Sequence, residues 1–296
     1  MYVKANLITL KVKRELKICL YRCICKKMKL NRRVSIVRHG ERVDHRFQDV
    51  WIENCFDNEG NYTRRNLNQP EKLPNRHGYP QTFLRDTPLT EIGLLQATLR
   101  GQGIGAGNIL AHDFQVFTSP SLRCVQTASN ILAAMKRQDV KLCIEPCLFE
   151  WTKIKWYLNG NMPKWMTPQE LIEAGFEVDQ HYVPFISTGD LKEEETVKQY
   201  YDRSGQVINH LLKNTDKDIL IVAHGFTLEA VSRNLMAKPS RSAEEMIEVV
   251  GKIPYCGILT LEQNNTSKKW DILPLDQQLQ LKHASAHNFD AHETLC

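Results

Sequence analysis

None of the nine cysteines (Cys19, Cys23, Cys25, Cys55, Cys124, Cys143, Cys147, Cys256 and Cys296) stands in a CxxC pair, and their spacing is irregular. That excludes a zinc-ribbon pattern, and an odd, scattered set points to a reduced, cytoplasmic compartment rather than to a disulfide framework. Long apolar runs are missing too. LITL and ICLY are interrupted by charge within a few residues, so neither a signal-peptide core nor a membrane span is present. His283 and His287 lie four apart near the end of the chain, but the pattern supplies no acid or third ligand. No metal site is assigned on them.

A basic face spread over the chain is also absent, although the net charge is +5. Residues 1–33 hold eleven Lys and Arg against the single acid Glu15, a local charge of +10. The rest carries 28 basic and 33 acidic residues, so the body is acidic and a nucleic-acid partner is not expected. Residues 1–32 read as a basic extension with two open interpretations. It makes weak contact with an anionic membrane surface, with Cys23 and Cys25 as acylation sites, or Met28 is the true start and the extension is not native.

The body has 42% hydrophobic residues over the whole chain, enough for one large core. VSIV (34–37), QVFT (115–118), KLCI (141–144) and ILIVA (219–223) read as strands, the last continuous enough to be buried on both faces. Between them, the stretches 90–104, 121–137, 194–214 and 226–237 carry apolar residues at helical spacing. GILTLEQNN and SKKWDIL (257–273) predict a closing hairpin turned at Asn264 and Asn265. MPKWMTPQEL (162–171) reads as a proline-punctuated connection leading into a helix. The alternation predicts a three-layer α/β/α sandwich with a mostly parallel central sheet.

In open sheets of this kind, ligands bind beyond the carboxyl ends of the strands. The strand at 34–37 runs into Arg38, His39 and Arg42, that at 115–118 into Ser119, Pro120 and Arg123, and that at 219–223 into His224. Three arginines and two histidines on one edge are costly to bury without partners. They suit a phosphate: guanidinium forks neutralise phosphoryl oxygens in bidentate fashion, and a neutral imidazole can act as nucleophile. His39, beside Gly40, is the better placed nucleophile, and His224 then donates to the phosphoryl oxygens. Taken singly, each histidine is more often an ordinary core or surface residue. The joint pattern carries the reading.

RHGER (38–42), DTPLTEIGLLQA (86–97), SPSLRCVQTA (119–128) and AHG (223–225) stand in the order of the motifs of the histidine phosphatases, and the chain resembles that phosphoglycerate-mutase-like superfamily. CFDNEGNYTRRNLNQPEKLP (55–74), LFEWTK (148–153) and KIPYCG (252–257) make it similar, more narrowly, to the phosphatase domain of the ubiquitin-associated and SH3 domain-containing proteins, the suppressors of T-cell-receptor signalling. The resemblance implies that this domain covers residues 33–275, ahead of a tail at 276–296. It also implies a phosphohistidine intermediate on His39, phosphate binding by Arg38, Arg42, Arg123 and His224, and Glu150 as the acid that protonates the leaving group. Physically, Phe149 and Trp151 could wall Glu150 and raise its pKa.

No cofactor or metal is implied, the arginines supplying the charge a cation supplies elsewhere. A homodimer is implied by the resemblance alone. The implied substrates are phosphotyrosine in proteins, or a small ester such as a steroid phosphate, on which an insect member of this branch acts. The stretch 43–85 is long for the superfamily and is expected to roof the site and set substrate choice, with Arg46, Arg64 and Arg65 either contacting an acidic substrate or facing water. Two rivals remain at this point, a phosphoglycerate-type mutase and a catalytically weak phosphopeptide-binding scaffold.

Overall fold

The computed structural model describes residues 31–153 and 162–274. Its sheet is built in chain order from β1 (Arg33–Arg38), β2 (Phe114–Thr118), β3 (Leu142–Ile144), β4 (Asp218–Ala223), β5 (Ile258–Gln263) and β6 (Trp270–Ile272). In space the order is β3-β2-β4-β1-β5-β6. The four strands from β3 to β1 are parallel, and β5 and β6 add an antiparallel hairpin at the edge.

The helices are α1 (Val43–Phe47), α2 (Trp51–Cys55), α3 (Glu91–Ala106), α4 (Leu122–Ala134), α5 (Pro168–Glu173), α6 (Val197–Asn214), α7 (Gly225–Leu235) and α8 (Ala243–Lys252). The pleat of β4 sorts them into two layers, because successive side chains leave a strand on opposite faces. Ile219, Ile221 and Ala223 pack with Tyr200, Ile208, Leu228, Val231 and Met246 from α6, α7 and α8. Leu220 and Val222 pack with Ile104, Val125 and Ile131 from α3 and α4, and with Val43, Trp51 and Phe83 from the 43–85 stretch. Every residue of β4 is buried, as a continuous apolar run between two helical layers must be.

Three features differ from the sequence-based expectation. The β5–β6 hairpin has a longer turn than two residues: the Asn264 carboxamide accepts from the N–H groups of Thr266 and Ser267, and Lys269 O accepts from Asn264 N–H. Helix α8 was not expected, yet its start carries a local signal, since Ser242 and Glu245 form a reciprocal capping box. Finally, Arg32, expected in the basic extension, belongs to the fold together with Arg33 of β1. Arg32 donates to the carbonyls of Leu212, Thr215 and Lys217, and Arg33 pairs with Glu262 at 2.8 Å.

The chain leaving β1 is held against the first turn of α3 by a glycine-on-glycine contact. A Cβ on Gly40 would stand 2.6 Å from Gly93 O, and one on Gly93 would collide with Glu41 O. Thr90, the N-cap of α3, reinforces the contact: its N–H donates to Glu41 O at 3.0 Å and its hydroxyl to the Glu41 carboxylate at 2.8 Å. Gln96 Oε1 accepts from Glu41 N–H at 2.9 Å. This contact fixes the loop that carries residues 39–42. Gly93→Ala should therefore cost about 1–3 kcal/mol through overpacking against backbone, whereas Gly251→Ala in α8, where a Cβ meets nothing within 4 Å, should be neutral or slightly stabilising. Urea unfolding midpoints of the two variants check the contrast.

Candidate active site

The parallel register brings the ends of three strands level, pairing Arg38 with Ala223 and Thr118 with Val222. His39, Ser119 and His224 follow directly at that edge. The His39 backbone is fixed on both sides: its N–H donates to Ala223 O at 2.9 Å and its carbonyl accepts from Cys256 N–H at 3.2 Å. Its Nδ1 lies 2.8 Å from Gly40 O. A carbonyl can only accept, so Nδ1 carries the proton and Nε2 holds the lone pair. His39 lines a cavity of about 770 Å³.

His224 occupies the N-cap position of α7 without a side-chain capping bond, and its ring stands edge-on to that of His39 with centroids 5.4 Å apart. Its Nδ1 is 3.3 Å from Arg123 Nη2 and its Nε2 is 2.8 Å from Ser119 Oγ. A guanidinium only donates, so Nδ1 accepts and Nε2–H points at the serine. The hydroxyl can donate as readily as accept, so this histidine can change tautomer and keep Ser119, giving up only the bond that Nδ1 accepts from Arg123. Burial pushes both imidazoles well below their usual range. The guanidinium charges of Arg123, Arg38 and Arg42 add to the effect on each ring, and Glu150 opposes it at His224.

The arginines meet internal partners of unequal completeness. Arg38 lies over the Tyr255 ring, 4.6 Å from its centroid, and donates to Ile253 O, while its buried Nε has no hydrogen-bond partner. Arg42 forms a two-pronged bridge to Asp44, at 2.9 and 2.5 Å. Burial alone would raise the Asp44 carboxyl, but the charge and hydrogen bonds of Arg42 hold it below the usual carboxylate range. Arg123, in the first turn of α4, donates to Glu150 at 2.5 Å, and its buried Nε is likewise unpartnered. The start of α4 is anchored by Asp86, which accepts from Leu122 N–H at 2.8 Å and pairs with Arg76 at 2.9 Å. The N-termini of α4 and α7 therefore converge on the cluster, adding backbone dipoles that favour an anion.

Glu150 lies in the same cluster, but its setting differs from the expected apolar wall. Phe149 and Trp151 are both buried. Phe149 packs edge-on against the His224 and Trp165 rings, and Trp151 packs on Phe226 while its Nε1 donates to Glu195 O at 2.9 Å. The carboxylate instead faces charge, with Arg123 at 2.5 Å and His224 Nδ1 at 3.7 Å. An ion pair favours the ionised form, the reverse of what an apolar wall does.

The 43–85 stretch contributes Asp44, His45, Gln48, Asp49, Leu84 and Arg85 to the cavity lining. Its arginines singled out in the sequence are elsewhere: Arg46 is exposed, Arg64 faces Glu91 at 3.9 Å, and Arg65 donates to Asn54 O at 3.2 Å. Arg85 is the one of its arginines that lines the cavity. Tyr255, which no spacing argument selected, sits in KIPYCG and bridges the cavity mouth by a 2.9 Å hydrogen bond with His45 Nδ1. Among the described residues no group of three or more His, Cys, Asp or Glu could hold a metal ion, and no helix is long and apolar enough to cross a membrane. The basic extension up to residue 30 and the pair His283 and His287 lie outside the described residues.

The family model of the histidine phosphatase superfamily (branch 1) matches residues 70–272. The chain belongs to the histidine phosphatase superfamily. Among curated histidine phosphatases, it is 43% identical over 238 residues to the ecdysteroid-phosphate phosphatase of Drosophila melanogaster, covering 79% of this chain and 31% of that protein. It is 38% identical over 267 residues to human ubiquitin-associated and SH3 domain-containing protein B, covering 88% of this chain and 40% of that one. The chain thus spans about a third to two fifths of the length of these relatives. The crystal structure of the Bombyx mori ecdysone phosphate phosphatase in complex with tungstate superposes with a TM-score of 0.73 at 29% identity, over 88% of this chain and 99% of that one.

Two buried imidazoles that resist protonation couple the stability of this histidine phosphatase to pH. Below the unfolded histidine pKa of about 6.5 the unfolded chain takes up protons that His39 and His224 refuse, so stability falls as pH falls. From pH 7.5 to 5.0 the two together should cost up to about 4 kcal/mol. Urea unfolding at both pH values, on the wild type and on His39→Gln and His224→Gln, should show each substitution removing about half of that dependence.

Proposed function

We propose that the chain is a phosphomonoester hydrolase working through a phosphohistidine on His39. The observation that carries the reading is an imidazole at the cavity, His39, whose Nε2 lone pair is unused, beside two buried guanidinium N–H groups without partners: one on Arg38, which lines the same cavity, and one on Arg123, which stands behind it in ion pair with the lining residue Glu150. Unpaired buried donors of this kind are costly unless an anion completes them, and a phosphoryl group is an anion with oxygens to spare. The 29% identical fold relative binds tungstate, an oxyanion of similar shape.

In the proposed reaction the phosphoryl oxygens take the forks of Arg38, Arg42 and Arg123, and the Nε2 of His39 attacks phosphorus as the ester P–O bond breaks. The incoming dianion competes with Glu150 for Arg123. Separated from its cation and placed beside a second anion, the Glu150 carboxyl is driven to its protonated form, and it then delivers that proton to the departing oxygen. His224 shifts its N–H to Nδ1 and donates to the phosphoryl group, while Ser119 turns its hydroxyl to donate to Nε2. Water, deprotonated by Glu150, then cleaves the P–N bond and releases phosphate. Residues 33–275 form the catalytic domain in this reading, and 43–85 act as its selectivity element.

The organic part of the substrate meets Leu84, Phe226, Val250 and Tyr255 at the cavity wall, which suits an aromatic or bulky apolar group. Phosphotyrosine in proteins is one such ester. A steroid phosphate is the second reading, favoured by the 43% identical relative, an ecdysteroid-phosphate phosphatase. Values of kcat/KM on a phosphotyrosine peptide and on a steroid phosphate separate the two.

Wild-type protein should hydrolyse an aryl phosphate, His39→Ala should lose at least about a thousandfold in kcat, and phosphorus-32 substrate should leave an acid-labile label on the wild type alone. Tight phosphopeptide binding without turnover by folded wild type would replace the enzyme reading with that of a binding module.

A further inference from the structure

Residues 147–152 carry Glu150 to the cavity, and beyond the short 3-10 turn at Pro146–Leu148 they form neither helix nor strand. Their carbonyls therefore need partners from elsewhere. One side chain supplies partners for three of the six. Arg203, buried on α6, donates from Nη1 to Cys147 O at 2.6 Å and Phe149 O at 3.0 Å, and from Nη2 to Glu150 O at 3.2 Å. Its remaining donors hold both carboxylate oxygens of Glu195 at 2.7 Å. Glu195 grips the far side of the segment, accepting from the Thr152 hydroxyl at 2.9 Å and taking Thr152 O with its own backbone N–H at 2.9 Å. The Arg203 guanidinium also lies over the Tyr200 ring, 4.9 Å from its centroid. Tyr200 in turn bonds Thr227, whose hydroxyl donates to Leu148 O at 3.1 Å.

We infer that Arg203 and Glu195 are a positioning pair for Glu150, fixing the backbone on both sides of it so that its carboxyl can trade Arg123 for the leaving-group oxygen without the chain moving. The inference rests on the phosphatase reading and deepens it. Arg203 does not line the cavity and touches no reacting atom. It acts through the carbonyl of Glu150 itself and that of the preceding residue. A planar five-donor fork is needed for this set, and a lysine cannot reproduce it.

The test compares kcat/KM, which reports the steps through phosphoenzyme formation, on phenyl phosphate and 2,4-dinitrophenyl phosphate. The first leaving group needs a proton and the second departs without one. Arg203→Lys should lower kcat/KM on phenyl phosphate by about 30- to 100-fold and on the dinitrophenyl ester by less than about threefold. In a Glu150→Gln background it should add no further loss on phenyl phosphate, since both substitutions remove the same proton transfer. Equal losses on both esters, or full additivity with Glu150→Gln, would overturn the positioning role and leave the phosphatase standing. Wild type inactive on both esters would overturn both. Should thermal melting show Arg203→Lys unfolded, Glu195→Gln decides: a bias toward phenyl phosphate supports the pair, and equal losses refute it.

Discussion

Positive charge held out of water at the ends of three parallel strands is the constraint on which the rest of this structure depends. Guanidinium groups cannot be neutralised by losing a proton, so each must find an acceptor or leave its donors unmet. The protein meets this with acids placed singly: Asp44 on Arg42, Glu150 on Arg123 and Asp86 on Arg76. The imidazoles respond differently, remaining neutral under the combined pressure of burial and nearby cations. A neutral ring is also the form that can act as a nucleophile, so the same field that makes the cluster costly prepares the proposed chemistry.

The acids are not equivalent. Asp44 is two residues from Arg42 and makes a closed, bidentate bridge, a local arrangement that holds the guanidinium in one orientation. Glu150 reaches Arg123 from the end of a segment that has no ladder of its own. In the proposed reaction it is the partner that a competing anion displaces, its backbone held by Arg203 and Glu195. Rigid backbone with an exchangeable side-chain partner is what proton delivery to a bound ester requires.

Much of this was legible in the sequence. The strands, the parallel sheet and the convergence of Arg38, His39, Arg42, Arg123 and His224 followed from alternating hydrophobic periods and from the charged residues that end them. The ordered motifs added Glu150. The physical surroundings of Glu150 were misjudged, because adjacency to Phe149 and Trp151 says nothing about direction in extended chain. Arg46, Arg64 and Arg65 drew notice for their charge, while the cavity-lining arginine of that stretch was Arg85. Tyr255 and the Arg203–Glu195 pair gave no local signal, since a packing partner distant in sequence leaves no mark on spacing.

What the sequence alone determined was therefore whatever is encoded by period and by position relative to a strand end: the layers, the direction of β4 and the edge at which the histidines emerge. Tertiary structure decided the electrostatics. Which acid meets which guanidinium, which imidazole nitrogen keeps its proton, and how Gly40 and Gly93 touch depend on distances of a few ångströms between segments tens of residues apart. Coulomb and hydrogen-bond energies vary steeply over such distances, and no local pattern of residues carries them.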